Sequence, residues 1–117
     1  MAKRKETRTP FPYWDSSTQY PVGYLRLTRE FLESLAYKSL KPMTKAVVID
    51  MKLVAGGKQE FTYPRSRYIQ WCSIDTFQRA KAELINKGFI EELENNKNLR
   101  KANVYRLLPN YRAWTPP

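Results

Sequence analysis

Residues 73–90 read Ser73-Ile-Asp-Thr-Phe-Gln-Arg-Ala-Lys-Ala-Glu-Leu-Ile-Asn-Lys-Gly-Phe-Ile90, and the reading of this stretch decides the fold. Ser73 carries the side-chain oxygen of a helix N-cap, able to accept from an orphan N–H of the first turn. From Ile74 to Lys87 the apolar residues Ile74, Phe77, Ala80, Leu84 and Ile85 recur at helical spacing and share one face. Lys81 falls between Phe77 and Leu84/Ile85, so its head is expected to snorkel to the rim of the core. Gly88 is placed to end the helix in the left-handed conformation. The period then changes. Phe89–Leu93 reads as a strand, Glu94–Lys101 as a polar turn around Asn95-Asn96, and Val104–Leu107 as the returning strand.

Working outward, residues 64–72 are expected to form the preceding helix, with Tyr68, Ile69 and Trp71 as its apolar members. Before it, Glu60–Tyr63 reads as a short extended segment and Gly56-Gly57 as a helix stop. The helix it stops, 41–55, has Pro42 in its first turn. Met43, Val47, Met51 and Val54 run down one of its faces, with Ala46, Ile49 and Leu53 beside them. A further helix over 28–38 starts at the candidate cap Thr28 and shows Phe31, Leu32, Leu35 and Ala36 on one stripe. Residues 1–27 read as an irregular arm. Lys3, Arg4, Lys5 and Arg8 are basic, Pro10, Pro12 and Pro21 forbid a continuous helix, and Phe11, Tyr13, Trp14 and Tyr20 are expected to pack onto the body. Its first eight residues are expected to be disordered. The division is therefore an arm (1–27), a folded domain (28–108) and a tail (109–117) in which Trp114 packs back.

Composition narrows the function. The chain has 117 residues, with 21 Lys and Arg against 11 Asp and Glu, a formal net charge of +10. Such an excess favours phosphate polymers or anionic membrane as partners. No apolar run approaches the ~20 residues of a membrane span, and Met1–Arg8 leads into no apolar stretch of a secretory signal. A cytoplasmic protein without membrane or small-molecule ligand is expected. Cys72 is alone, which excludes an internal disulfide and fits a reducing compartment. There is no histidine, so the commonest general base and zinc ligand are missing. Asp15, Asp50 and Asp75 show no catalytic spacing, and no phosphate loop follows Gly56-Gly57. We expect no enzyme, no cofactor and no metal.

The stretch Pro64–Leu107 resembles the winged helix-turn-helix family. The match is carried by the Ser N-cap, Thr76, an apolar residue, Arg79-Ala80, Glu83-Leu84, Gly88-Phe89-Ile90, and Asn103-Val-Tyr-Arg-Leu107 as second wing strand. Helix 41–55 extends it. Lys81 departs from the family, which usually has an apolar residue there. The layout is similar to small DNA-binding proteins of bacterial mobile elements, such as phage and plasmid replication initiators, transcriptional regulators and conjugation accessory proteins. The fold implied is α+β, three to four helices with a C-terminal β-hairpin wing. The implied function is sequence-specific binding of double-stranded DNA, with the second helix in the major groove.

On the helical wheel the outward arc of 74–87 holds Asp75, Thr76, Arg79, Ala82, Glu83 and Asn86, with Gln78 at its edge. Arg79 either forks onto guanine or pairs with Glu83 one turn on. Gln78 reads adenine or is a solvated side chain. Thr76 donates to a phosphate or touches a thymine methyl. Asp75 accepts from cytosine or simply favours the helix N-terminus. Ser73 caps the helix, and a free N–H beside it can hold a phosphate. Arg65 and Arg67 are candidate phosphate contacts from the preceding helix. The wing offers Asn96, Lys97, Asn98, Arg100 and Lys101. No acid follows Glu94, so this end is single-signed. Lys3, Arg4, Lys5 and Arg8 are candidates for following the minor groove. The aromatics read as core rather than as a single-strand stacking row. A homodimer joined through helix 28–38 and the arm is a further expectation. The alternatives are a protein-interaction module on the same fold, and nonspecific binding of nucleic acid, RNA included, by charge alone.

Overall fold

A computed structural model describes residues 25–96 and 102–117. Among them are four α-helices and a three-stranded antiparallel sheet, an α+β arrangement compatible with a winged helix. Helix α1 (Arg29–Glu33) is capped by Thr28, whose hydroxyl accepts from the Phe31 N–H at 3.1 Å. The expected single helix over 28–38 is broken at Ser34. Its extended backbone (ψ 148) ends α1, and its hydroxyl accepts from the Tyr37 N–H to start α2 (Leu35–Ser39). Leu32 and Leu35 of the expected stripe are therefore exposed, while Phe31 and Ala36 enter the core.

Helix α3 (Pro42–Ala55) begins at a first-turn proline and ends at Gly56, which takes a φ of 60. Its buried stripe is Thr44, Val47, Val48, Met51 and Ala55, rotated from the expected one. The helix is apolar over more than one face, so spacing alone did not select the face that packs. Ala46 and Leu53 are left exposed and Ile49 half-buried. Strand β1 (Glu60–Tyr63) follows and is a full sheet member.

Residues 64–72 do not form the expected helix. A 3-10 turn, Arg65–Arg67, gives way to irregular turns. The Trp71 indole N–H donates to the Arg67 carbonyl at 2.9 Å, taking the acceptor that an α-helix would give to Trp71's own amide. That amide bonds to Tyr68 instead, one residue short of the α pattern. Only Tyr68 and Cys72 of this stretch are buried; Ile69 and Trp71 face outward. The Tyr68 ring lies flat on Phe77 at 4.0 Å between centroids.

Helix α4 (Ile74–Asn86) starts at Ser73, whose hydroxyl accepts from the Thr76 N–H at 3.1 Å. It buries Phe77, Ala80, Lys81 and Leu84, while Ile74 and Ile85, expected in the core, are about two-fifths exposed. Strands β2 (Ile90–Glu94) and β3 (Asn103–Leu107) form a hairpin with an irregularity between Glu92 and Glu94. The sheet order is β1-β3-β2, so the last strand in sequence lies in the middle. Beyond it a second 3-10 turn, Asn110–Ala113, places Tyr111 in the core, stacked on Phe89 at 4.8 Å and edge-on to Phe31. Trp114 packs back, as expected, with the Lys87 ammonium 4.9 Å from its ring. No helix among the described residues is long and apolar enough to cross a membrane.

Candidate nucleic-acid interface

The face of α4 away from the core carries Asp75, Arg79, Ala82 and Asn86, all exposed, with Gln78 on its flank. At 1.5 Å per residue this row is about 16 Å long. Its N-terminal end is fixed from within. Besides capping the helix, the Ser73 hydroxyl donates to the Thr76 hydroxyl at 2.9 Å, so Thr76 is half-buried and committed to the cap. Arg79 has no ion pair among the described residues. Its anticipated partner Glu83 turns the other way, accepting from the Thr44 hydroxyl at 2.7 Å and from the Lys87 ammonium at 2.9 Å. Burial alone would raise the Glu83 carboxyl. These two hydrogen bonds, the Lys87 charge and the Lys41 amide outweigh it and hold the group below its ordinary value.

The structure separates the two arginines of the 3-10 turn. Arg65 is exposed and borders a groove of about 620 Å³ between the start of α4 and the base of the hairpin. Arg67 is already engaged: its guanidinium donates to Asp50 at 2.6 Å, and that hydrogen bond raises its pKa. Asp50 also accepts from the Tyr63 hydroxyl at 2.6 Å, and the Tyr63 pKa is driven up by burial and then by this carboxylate. Arg67 therefore ties the turn to α3, whereas Arg65 has no ion pair among the described residues.

The hairpin base is a polar network that the sequence did not announce. Lys81 is buried, not at the rim, and its ammonium meets Glu92 of β2 at 3.0 Å. Glu92 Oε2 also accepts from the Asn103 amide at 3.3 Å, and that amide lies within 3.3 Å of the Tyr105 hydroxyl. The Asn103 side-chain carbonyl accepts from the Asn96 N–H at 2.7 Å, and the Asn96 side-chain amide donates to the Ala102 carbonyl at 2.9 Å. Asn96, expected at the wing surface, is instead 8% exposed and closes the hairpin neck. Asn103 stands at the head of a strand where an apolar or β-branched residue would be usual, and that polar residue is the sequence's one sign of the network.

Among the wing candidates, Lys97, Asn98, Arg100 and Lys101 lie outside the described residues, as do Lys3, Arg4, Lys5 and Arg8 of the arm. The structure brings together Arg65, Gln78 and Asn103 around the groove, with Asp75, Arg79, Ala82 and Asn86 on the adjoining helix face. The arrangement is a convex helix beside a concave, amide-lined channel. It presents hydrogen-bonding side chains of Gln78, Asn103 and Arg65 toward solvent. No family model matches this chain, and neither a curated protein nor a solved structure matches it.

Proposed function

We propose that this chain is a winged helix-turn-helix protein that binds double-stranded DNA without catalysing a reaction. In this reading α4 lies in the major groove, the β2–β3 hairpin is the wing, and Arg65 meets a phosphate from a first limb reduced to a 3-10 turn. The role is regulation of transcription, replication or conjugation of a mobile element. The observation that carries the reading is the exposed row Asp75, Arg79, Ala82 and Asn86, unclaimed by the fold; in sequence, the segment between β2 and β3 adds Lys97, Arg100 and Lys101. B-DNA's major groove admits one such helix. The sheet order β1-β3-β2 and the Ser73 cap support the family assignment.

The test is selection from a random duplex library at physiological salt. A motif enriched by the wild type and lost with Arg79→Ala supports the reading. Binding that collapses with salt and enriches nothing reduces it to affinity for phosphate. A protein-interaction module is the second reading. It draws on a different surface, the exposed Leu53 and Trp71 with Ala46 and Ile49, which border a small apolar groove on α3. Salt-insensitive, weak DNA binding beside a stoichiometric protein partner would favour it.

A further inference from the structure

Among the described residues, most of the charge that the fold leaves uncommitted lies away from α4. Near α4 and the 3-10 turn, the described cations without an acid partner are Arg65 and Arg79 alone. Lys81 and Lys87 are spent on Glu92 and Glu83, Arg67 on Asp50, and Arg106 on Glu60 and Glu91. Along α3, by contrast, Lys41, Lys45 and Lys52 have no ion pair among the described residues. Spaced by four and seven, they share one helical face. Lys45 and Lys52 stand over the Tyr37 and Phe31 rings, at 5.4 and 4.6 Å, and those rings are 5.1 Å apart. Past the end of the helix, Lys52 shares a groove with Arg26 and Lys58, and no acid lines it. This groove opens at the Gln59/Leu107 end of the sheet. The groove beside α4 opens at the opposite end, where Tyr63 pairs with Asn103. The acids of neighbouring α1 are taken: Glu30 pairs with Arg112 at 3.3 Å and Glu33 with Arg29 at 3.6 Å.

We infer that the Lys41/Lys45/Lys52 face of α3, together with the adjoining groove that holds Arg26 and Lys58, is a second phosphate-binding surface, distinct from α4, that takes the phosphodiester backbone of a nucleic acid. A single-signed row suits a linear polyanion. From Lys41 to Lys52 it runs about 16 Å, and a duplex strand presents one phosphate per ~3.4 Å of axis. Aromatic rings beneath Lys45 and Lys52 hold the stems upright, so ordering them on binding costs less entropy than for free lysines. The surface either receives the flank of the duplex held by α4 or a separate duplex. It stands whether or not α4 reads bases.

The experiment compares wild type, the K41Q/K45Q/K58Q triple variant and the K41R/K45R/K58R triple variant. Lys41 and Lys58 are exposed and Lys45 is half-buried, and thermal melts check that each variant folds. Affinity for a duplex of about 40 bp is measured across salt. The glutamine variant is expected to lose about 2–3 from the slope of log K against log salt, with its selected motif unchanged, and the arginine variant to keep the slope. Arg79→Ala should show the reverse, a changed motif with nearly the wild-type slope. Energy transfer between two separately labelled short duplexes identifies a separate duplex as the occupant; slope loss confined to the long duplex identifies its flank. An unchanged slope in the glutamine variant overturns the inference. So does equal competition by a polyglutamate of the same charge, which would make the surface a general polyanion or acidic-protein site.

Discussion

At the scale of single residues, the side chains that matter most are those with no second job. Arg79 is one, since Glu83 has been drawn off to Thr44 and Lys87. Arg79→Ala is expected to cost ~1–3 kcal/mol on a preferred duplex and to relax preference at one position, as measured by binding to single-base variants of the selected site. Gly88 is the converse, a residue whose lack of a side chain is needed twice. Its φ is 84, and a Cβ there would stand 2.8–2.9 Å from Asn110 and from the Tyr111 nitrogen. Gly88→Ala should therefore destabilise by more than the ~1–3 kcal/mol of the left-handed backbone alone. Gly57→Ala meets no atom and should cost only the conformational part. Urea denaturation of the pair separates the two contributions. Ser73→Ala should cost ~1 kcal/mol through the lost cap. These residues were legible beforehand because caps and left-handed stops are local chemistry. Asn96 was misread because its partners Asn103 and Ala102 lie across a hairpin, a contact that no local pattern reports.

At the scale of elements, α4 and the hairpin are joined by the Lys81–Glu92–Asn103 network rather than by apolar packing alone. Lys81→Met would fill the position with an apolar side chain yet strand Glu92 in a half-covered site. It is expected to destabilise by about 1–3 kcal/mol, with Lys81→Met/Glu92→Gln closer to wild type, in the same urea assay. Hydrogen exchange at the Asn96 amide should rise in the single variant, since Glu92, which holds the Asn103 amide, loses the ammonium that fixes it. The boundaries of α3, α4 and the hairpin could be read because proline, serine and glycine punctuate them. Which face each helix buries could not. On α4 the buried arc includes Lys81 and leaves Ile74 and Ile85 outward, and on α3 an excess of apolar positions leaves Ala46 and Leu53 outside. The helix expected over 64–72 failed for a similar reason: the Trp71 side chain competes for the backbone acceptor that the helix required.

At the scale of the whole molecule, the absence of histidine predicts stability nearly flat through neutrality. The acid limb follows from Glu83. Its folded pKa lies below its ordinary 4.5, so the stability it adds is complete above that value and is lost as pH falls through the folded pKa. Glu83→Gln should flatten this limb in urea melts taken from pH 6 downward. The alkaline limb follows from the tyrosines. Burial pushes Tyr105 up from 10.0 to about 12 and raises Tyr63 further still, so their contribution is complete below pH 10 and fades as pH climbs through the folded values. Lys52, lowered by burial, works in the opposite sense over part of that range. Ultraviolet titration should show phenolate appearing together with loss of structure. The sheet order carries a consequence for synthesis. β1 and β2 do not pair with each other; each waits for β3. A nascent chain halted before Asn103 holds two strands with a vacant place between them, and the edge of each that faces β3 stays unmet until β3 leaves the ribosome. The helices can condense early, but the sheet closes in one step, inserted from the middle.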